Sequence, residues 1–208
     1  MASYESLCSQ LEKLRCENAE LRMMLDIVKE NYDLQSKLST QTIDETVGRE
    51  VPTDSRKLER LVGEVAFQLE RRILFHVFPG QARLYGFTVL NIHEKIIQVS
   101  RHPLTGKVDE AYRYQLSQRH MELMNKLHAL GYSATLHGPF AEYIVNTYGI
   151  LKQRPDPYSA EELGYNNPEF LRNVIIKIAP SKLLKDMLCL FSCLCFMARQ
   201  DGKPLFLW

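Results

Sequence analysis

Leu7-Cys-Ser-Gln-Leu11-Glu-Lys-Leu14-Arg-Cys-Glu-Asn18-Ala-Glu-Leu21-Arg-Met-Met-Leu25-Asp-Ile-Val28-Lys-Glu-Asn-Tyr32 decides how the first part of this chain folds. Apolar residues recur at alternating four- and three-residue steps, the heptad repeat of a coiled coil. With Leu7 at d, the d positions are Leu7, Leu14, Leu21 and Val28, and the a positions are Leu11, Asn18, Leu25 and Tyr32. One helix cannot bury such a seam alone. It needs a partner helix, or else it packs back on its own domain. A lone Asn at an a position fixes a two-stranded parallel register at some cost in stability. In a parallel pair Glu17 at g faces Arg22 at e on the partner, while Gln10 to Arg15 and Met24 to Lys29 add nothing electrostatic. Surface ion pairs contribute about 0–1 kcal/mol, so these flanks choose orientation more than they stabilise. The expectation is a parallel coil between chains.

Working outward, the 208 residues suffice for one ordinary domain plus an extension. The composition, 45% apolar and 25% charged, is globular. Charge is uneven. Residues 1–38 carry five Lys/Arg against seven Asp/Glu, residues 39–53 one against three, and residues 54–208 twenty against fifteen. The basic residues are scattered among acids rather than clustered in a stripe, so no nucleic-acid partner is expected. The first residues run straight into a polar helix with no secretory signal pattern. The longest apolar stretch, residues 187–198 with Ser192 inside it, is too short to span a bilayer and suits a buried helix, so no membrane partner is expected. Five cysteines without a signal point to reduced thiols in an intracellular compartment.

The whole reads as mainly α: a coiled-coil helix over 1–38, a flexible linker over 39–53, and a compact helical domain over 54–208 with at most a short extended segment. The linker has no period and holds Gly48 and Pro52. Thr53 or Asp54 caps a helix whose apolar face is Leu58, Leu61, Val62, Val65, Leu69 and Ile73, stopping at Pro79-Gly80. Arg83-Leu-Tyr-Gly-Phe-Thr-Val-Leu90 is the extended piece. Asn91-Ile-His-Glu94 resembles a capping box opening a short helix that ends before Pro103. Asp109 starts a longer helix with Leu116, Leu123, Met124, Leu127 and Leu130 inward, closed by Gly131. Pro139 opens another through Tyr148, closed by Gly149. Asn167-Pro168 caps the next. Ser181 caps a last helix, apolar on most faces and so central. The apolar end Pro204-Leu-Phe-Leu-Trp208 should dock rather than fray.

Chemistry is sparse. Cys189 and Cys193 share a helix face while Cys195 points elsewhere, and no second Cys or His pair stands at zinc spacing, so all three read as core thiols. The histidines fall at helix starts, helix ends, turns or exposed helix positions, without a nucleophile signature. There is no phosphate loop. No catalytic, cofactor or metal residue is expected, and no small-molecule substrate. Tyr148-Gly-Ile-Leu-Lys152-Gln-Arg154-Pro sets two cations beside aromatics. It is a candidate contact for phosphate or an acidic peptide, weighed against a plain solvated turn. Tyr148, Lys152, Arg154 and Trp208 are the candidate partner-binding residues of the domain. Lys29-Glu30-Asn31 matches a short box read by activators of the anaphase-promoting complex. Arg-x-x-Leu occurs at Arg22/Leu25, Arg71/Leu74, Arg101/Leu104 and Arg113/Leu116. Chance explains most such matches, and all Arg-x-x-Leu copies but Arg101/Leu104 fall in expected helix.

Two blocks resemble the speriolin and speriolin-like family. The first runs from Tyr4-Glu5 through Leu38, marked by Arg15-Cys-Glu-Asn-Ala-Glu-Leu21 and Val28-Lys-Glu-Asn31. The second covers about residues 69–208. It includes Arg83-Leu-Tyr-Gly-Phe-Thr-Val89, Pro103-Leu-Thr-Gly106, Val108-Asp-Glu110, Asn146-Thr-Tyr-Gly-Ile-Leu-Lys-Gln-Arg-Pro-Asp156 and Asp201-Gly-Lys-Pro-Leu-Phe206. The resemblance implies a cytoplasmic, cytoskeletal sperm protein of the centrosome, centriole and head–tail neck. It also implies a non-enzymatic C-terminal domain and engagement of an anaphase-promoting-complex activator. Speriolin proper carries a long Pro/Ser-rich middle, whereas here only residues 39–53 intervene, which favours the speriolin-like branch or a short form. The expected function is a scaffold that self-associates as a parallel dimer and binds centrosomal or sperm-neck proteins. The alternatives are an enzyme using the His/Tyr-rich middle of the domain, or a regulator or substrate of the anaphase-promoting complex.

Overall fold

The computed structural model describes residues 2–40, 53–81 and 83–208. Among them are eight α-helices: α1 Ala2–Thr40, α2 Thr53–Val77, α3 Ile92–Val99, α4 Glu110–Ala129, α5 Ala134–Tyr148, α6 Pro157–Glu162, α7 Pro168–Ile178 and α8 Ser181–Asp201. The described residues hold no strand, only an isolated antiparallel bridge between Arg101 and Val108. The chain divides into two units, Met1–Glu45 and Thr46–Trp208.

The first unit is α1. No Gly or Pro interrupts residues 2–40, and Leu, Glu, Lys, Arg and Met dominate, all good helix formers. At 1.5 Å per residue the helix is about 58 Å long. It continues through Ser39 and Thr40, which the sequence assigns to a linker. Thr53 at the other end of that linker is helical too, and residues 41–52 lie outside the described residues.

In the second unit α2 packs most extensively on α5 and α8, and also meets α7 and α4. Its expected apolar face is largely buried: Leu61, Val62, Val65, Leu69 and Ile73 are sealed. A second stripe is sealed as well. Glu64, Gln68 and Arg72 are 1%, 1% and 2% exposed. Steps of four residues put them in one line along the helix. α8 shares the centre, as its apolar faces foretold. Residues 187–198 are buried, Cys189 excepted.

Several local expectations are corrected. α5 begins at Ala134, so Pro139 lies inside it instead of opening it. The start is set by Ser133, whose carbonyl accepts the His137 N–H at 2.7 Å. Gly138 is demanded by packing, since a Cβ there would stand 2.9 Å from Leu90 Cδ2. Residues 83–90 form no strand, although Thr88 keeps an extended backbone. They turn into a 3₁₀ segment, Val89–Asn91. Asn91 does not cap α3 with its side chain. Its Oδ1 accepts the Thr88 N–H at 2.9 Å and its Nδ2 donates to Gly86 O at 2.8 Å, so the box sits one turn earlier. Ser181 is the first helical residue of α8, and Pro180 holds the cap position. Met124 is half-buried. α6 was not foreseen, being too short to show a period. Asp109 and Asn167 cap as expected, accepting from Tyr112 N and from Glu169 N and Phe170 N.

The C-terminal end is docked. Leu205 and Phe206 are buried. Gln68 clasps the backbone of Leu207 in both directions, accepting its N–H at 2.8 Å and donating to its carbonyl at 3.2 Å. Arg72 Nη2 donates to the Pro204 carbonyl.

Candidate functional site

On α1 the seam side chains face outward. Leu7, Leu11, Leu14, Leu21, Leu25, Val28 and Tyr32 are all exposed, from 43% at Val28 to 72% at Tyr32. Asn18 folds back, donating from Nδ2 to the Leu14 carbonyl at 3.0 Å. Glu17 stands 4.0 Å from Lys13 on its own helix. Lys29, Glu30 and Asn31 lie within α1, as do Arg22 and Leu25. The Arg71/Leu74 and Arg113/Leu116 pairs are helical also. Leu104 sits in the loop between α3 and α4 and is 91% exposed.

On the helical domain the segment after α5 builds a cleft of about 620 Å³ against the start of α2. Gly149 ends α5 with a positive φ of 73°, a conformation glycine adopts without strain, and turns the chain across α2. The Leu151 N–H is then received by Glu64 Oε2 at 3.0 Å. Burial pushes the Glu64 carboxyl up. Gln68, the Leu151 N–H, Arg154 and Arg71 work against that rise by favouring the charge. With the segment so anchored, Lys152 and Arg154 join Arg56, Lys57 and Arg60 of α2 along the cleft. Lys57 also lies over the Tyr165 ring at 5.8 Å. Five cations and no Asp or Glu line the cleft among the described residues. Asp156, next along the chain, spends its carboxylate on the Tyr158 and Ser159 N–H groups that open α6. The Ser159 hydroxyl and those N–H groups hold its carboxyl below the usual range.

The structure therefore brings together Lys152 and Arg154 but not the other two candidates. Tyr148 is half-buried and does not line this cleft, and burial raises its phenol. Trp208 is half-buried, edge-on to Phe206 at 5.7 Å. It lines a separate cavity of about 680 Å³ with Arg72, Phe75 and His76. Sequence reasoning missed Arg56, Lys57 and Arg60. Their spacing on α2 looks like a solvated helix face, and only the chain returning after Gly149 turns them into a site.

The His/Tyr-rich middle forms a third cleft, of about 510 Å³, with His93, Glu110, Arg113, Tyr114 and Ser117. Its α4 side chains are engaged along their own helix. Glu110 pairs with Arg113 at 2.6 Å, Ser117 Oγ donates to the Arg113 carbonyl at 2.9 Å, and Gln118 donates to Tyr114 OH at 2.9 Å. Two histidines read as exposed or terminal are in fact buried, His120 at 8% and His137 at 3%. No described helix is long and apolar enough to cross a membrane.

Comparison with known proteins adds a family. The model of the speriolin C-terminus matches residues 61–208. Human speriolin is 48% identical over 161 residues, covering 76% of this chain and 27% of its own length. Mouse speriolin is 48% identical over 159 residues, covering 76% of this chain and 33% of its own length. The chain thus spans about a third or less of the curated relatives it matches. No solved structure matches it.

Proposed function

This chain belongs to the speriolin C-terminus family, and from that premise we propose a non-catalytic scaffold that self-associates through α1 and holds partners on its helical domain. One observation carries the self-association. Seven apolar side chains in strict a and d phase stand exposed along one helix, and the lone polar a residue, Asn18, suits a parallel pair. The occupant is a second copy of α1. Glu17 and Arg22 then face one another across the dimer.

The basic cleft is the partner surface. Five cations without a lining acid favour an acidic or phosphorylated peptide segment, and steering by such a patch raises encounter rates more than final affinity. Two clefts on one dimer raise the effective concentration at a structured assembly, so weak contacts suffice. The setting carried over from the family is the sperm centrosome, centriole and head–tail neck, with an anaphase-promoting-complex activator among the partners. The docked Gln68–Leu207 clasp and the continuous helix across Lys29–Asn31 both favour a standing scaffold over a chain that must unfold to be read.

Light scattering on the full chain tests this. The wild type should be a dimer at micromolar concentration, and a Leu14→Lys/Leu21→Lys double variant a folded monomer. A monomeric wild type would overturn the self-association. An acidic peptide that binds equally well to wild type and to a Lys152→Glu/Arg154→Glu variant would overturn the cleft.

A further inference from the structure

Leu84-Tyr-Gly-Phe87, between α2 and α3, is a tight turn. The Phe87 N–H donates to the Leu84 carbonyl at 3.2 Å. Gly86 has a positive φ of 72°, the left-handed conformation that glycine supplies to such turns without strain. A Cβ there would meet nothing within 4 Å, so this glycine serves its backbone and not the packing. The turn is pinned on two sides. Asn91 Nδ2 donates to the Gly86 carbonyl at 2.8 Å, and Glu70 Oε1 of α2 receives the Val89 N–H at 3.2 Å. The Phe87 ring meets Phe78 edge-on at 5.0 Å. On this held turn Tyr85 is 83% exposed.

A single exposed aromatic is ordinary on a protein surface. Tyr85 differs because it rims a cleft of about 430 Å³, walled on the α2 side by Phe67, Leu74 and Phe75. Phe75 is 39% exposed, and the Arg71 guanidinium lies over its ring at 5.2 Å. Among the described residues Arg71, Arg83 and Arg154 line this cleft against one acid, Glu70. Burial raises the Glu70 carboxyl, with the Val89 N–H working against that rise. Such a cleft suits an apolar side chain carried on an anionic chain, and does not suit a cation. It also adjoins the basic cleft, for Arg154 lines both. Arg60 of the basic cleft and Phe67, Arg71 and Phe75 of this one are spaced seven, four and four residues apart, which puts them on one face of α2.

We propose that the two clefts form one composite groove along α2 for an acidic peptide that carries an aromatic side chain near its acidic run. The acids lie against Arg56, Arg60 and Lys152, and the aromatic side chain sits between Phe75 and Tyr85. The inference rests on the basic cleft as the partner surface and adds what sits beside the acids. Charge gives the encounter, and the aromatic anchor gives selectivity among acidic segments, because burying a large apolar side chain strengthens binding where exposed ion pairs add little. The spacing follows from the helix. Arg60 and Arg71 are about 16 Å apart along α2. An extended peptide covers that distance in about five residues.

The test titrates the full chain into fluorescein-labelled peptides and reads anisotropy. One peptide has four glutamates, a Gly-Ser-Gly-Ser spacer and a phenylalanine, made in both orders. Its control has alanine for phenylalanine. On the wild type the phenylalanine peptide should bind about tenfold more tightly than the control in at least one order. In Phe75→Ala/Tyr85→Ser the two should bind alike, at the strength of the control on wild type. If that variant does not fold, Tyr85→Ser alone, at an exposed site, should cut the tenfold lead about threefold. Equal binding of both peptides to the wild type overturns the composite groove and leaves the basic cleft standing. A lead that persists unchanged in the variants overturns it too. Binding of neither peptide also overturns it, and a phosphoserine version of the control then shows whether the basic cleft falls with it. A second copy seated in the groove would give Phe75→Ala/Tyr85→Ser a lower mass than wild type in light scattering, and that result overturns the proposal as well.

Discussion

A Cβ atom on Gly63 would stand 1.8 Å from the carbonyl oxygen of Gly149. No side chain fits between them. α2 and the end of α5 therefore meet backbone to backbone, and this approach brings Leu151 within reach of Glu64 and carries Lys152 and Arg154 to the cleft.

Gly63→Ala should accordingly be costly despite its small size. The methyl must displace main chain rather than a flexible side chain, an overpacking cost of about 3 kcal/mol. Urea denaturation would measure it. A variant as stable as wild type would show that the contact is looser than described.

Gln68→Ala should free the C-terminal end. It leaves the Leu207 N–H and carbonyl without their side-chain partner and removes a donor to Glu64. Expected is a loss of about 2 kcal/mol and a red shift of the single tryptophan, Trp208. An unshifted emission spectrum would mean that Phe206 and its neighbours hold the end unaided.

His120 should make the domain sensitive to acid. Burial, with a smaller push from His93, lowers it from 6.5 to about 4. It is neutral in the fold, so its contribution is fully present above pH 6.5 and is lost as pH falls toward 4. The shift corresponds to about 3 kcal/mol. In His120→Phe, stability measured from pH 7 to pH 4 should fall less steeply by about that amount. An identical slope in both proteins would show that carboxylates account for all of it.

Asn18→Leu should raise the thermal midpoint of the α1 assembly and broaden its mass distribution by light scattering. An apolar a position stabilises the coil but no longer dictates two strands in register. Reduced stability with unchanged mass would count against the heptad assignment.

The four-residue line Glu64, Gln68 and Arg72 shows where reading residues in order stops working. On an amphipathic helix such a line belongs to the solvent. Here it is sealed because its partners arrive from far along the chain: the Leu151 N–H for Glu64, the Leu207 backbone for Gln68, the Pro204 carbonyl for Arg72. Pro139 failed for a nearer reason. Proline is favoured in a first turn but tolerated deeper when other contacts hold the helix, and the Ser133–His137 bond had already started α5.

What the order of residues determined by itself is local or periodic. The heptad phase of α1, the Asp109 and Asn167 caps, the stop before Pro79 and the largely apolar stretch of α8 follow from propensity and capping chemistry acting within a turn or two. The tertiary structure alone decided the cleft, which joins Arg56, Lys57 and Arg60 to Lys152 and Arg154. It alone decided that His137 of α5 stands 3.5 Å from Asp186 of α8. Such sites depend on which distant backbone covers a polar side chain and which leaves it open. Burial and electrostatic coupling act through space, so no spacing along the chain announces them.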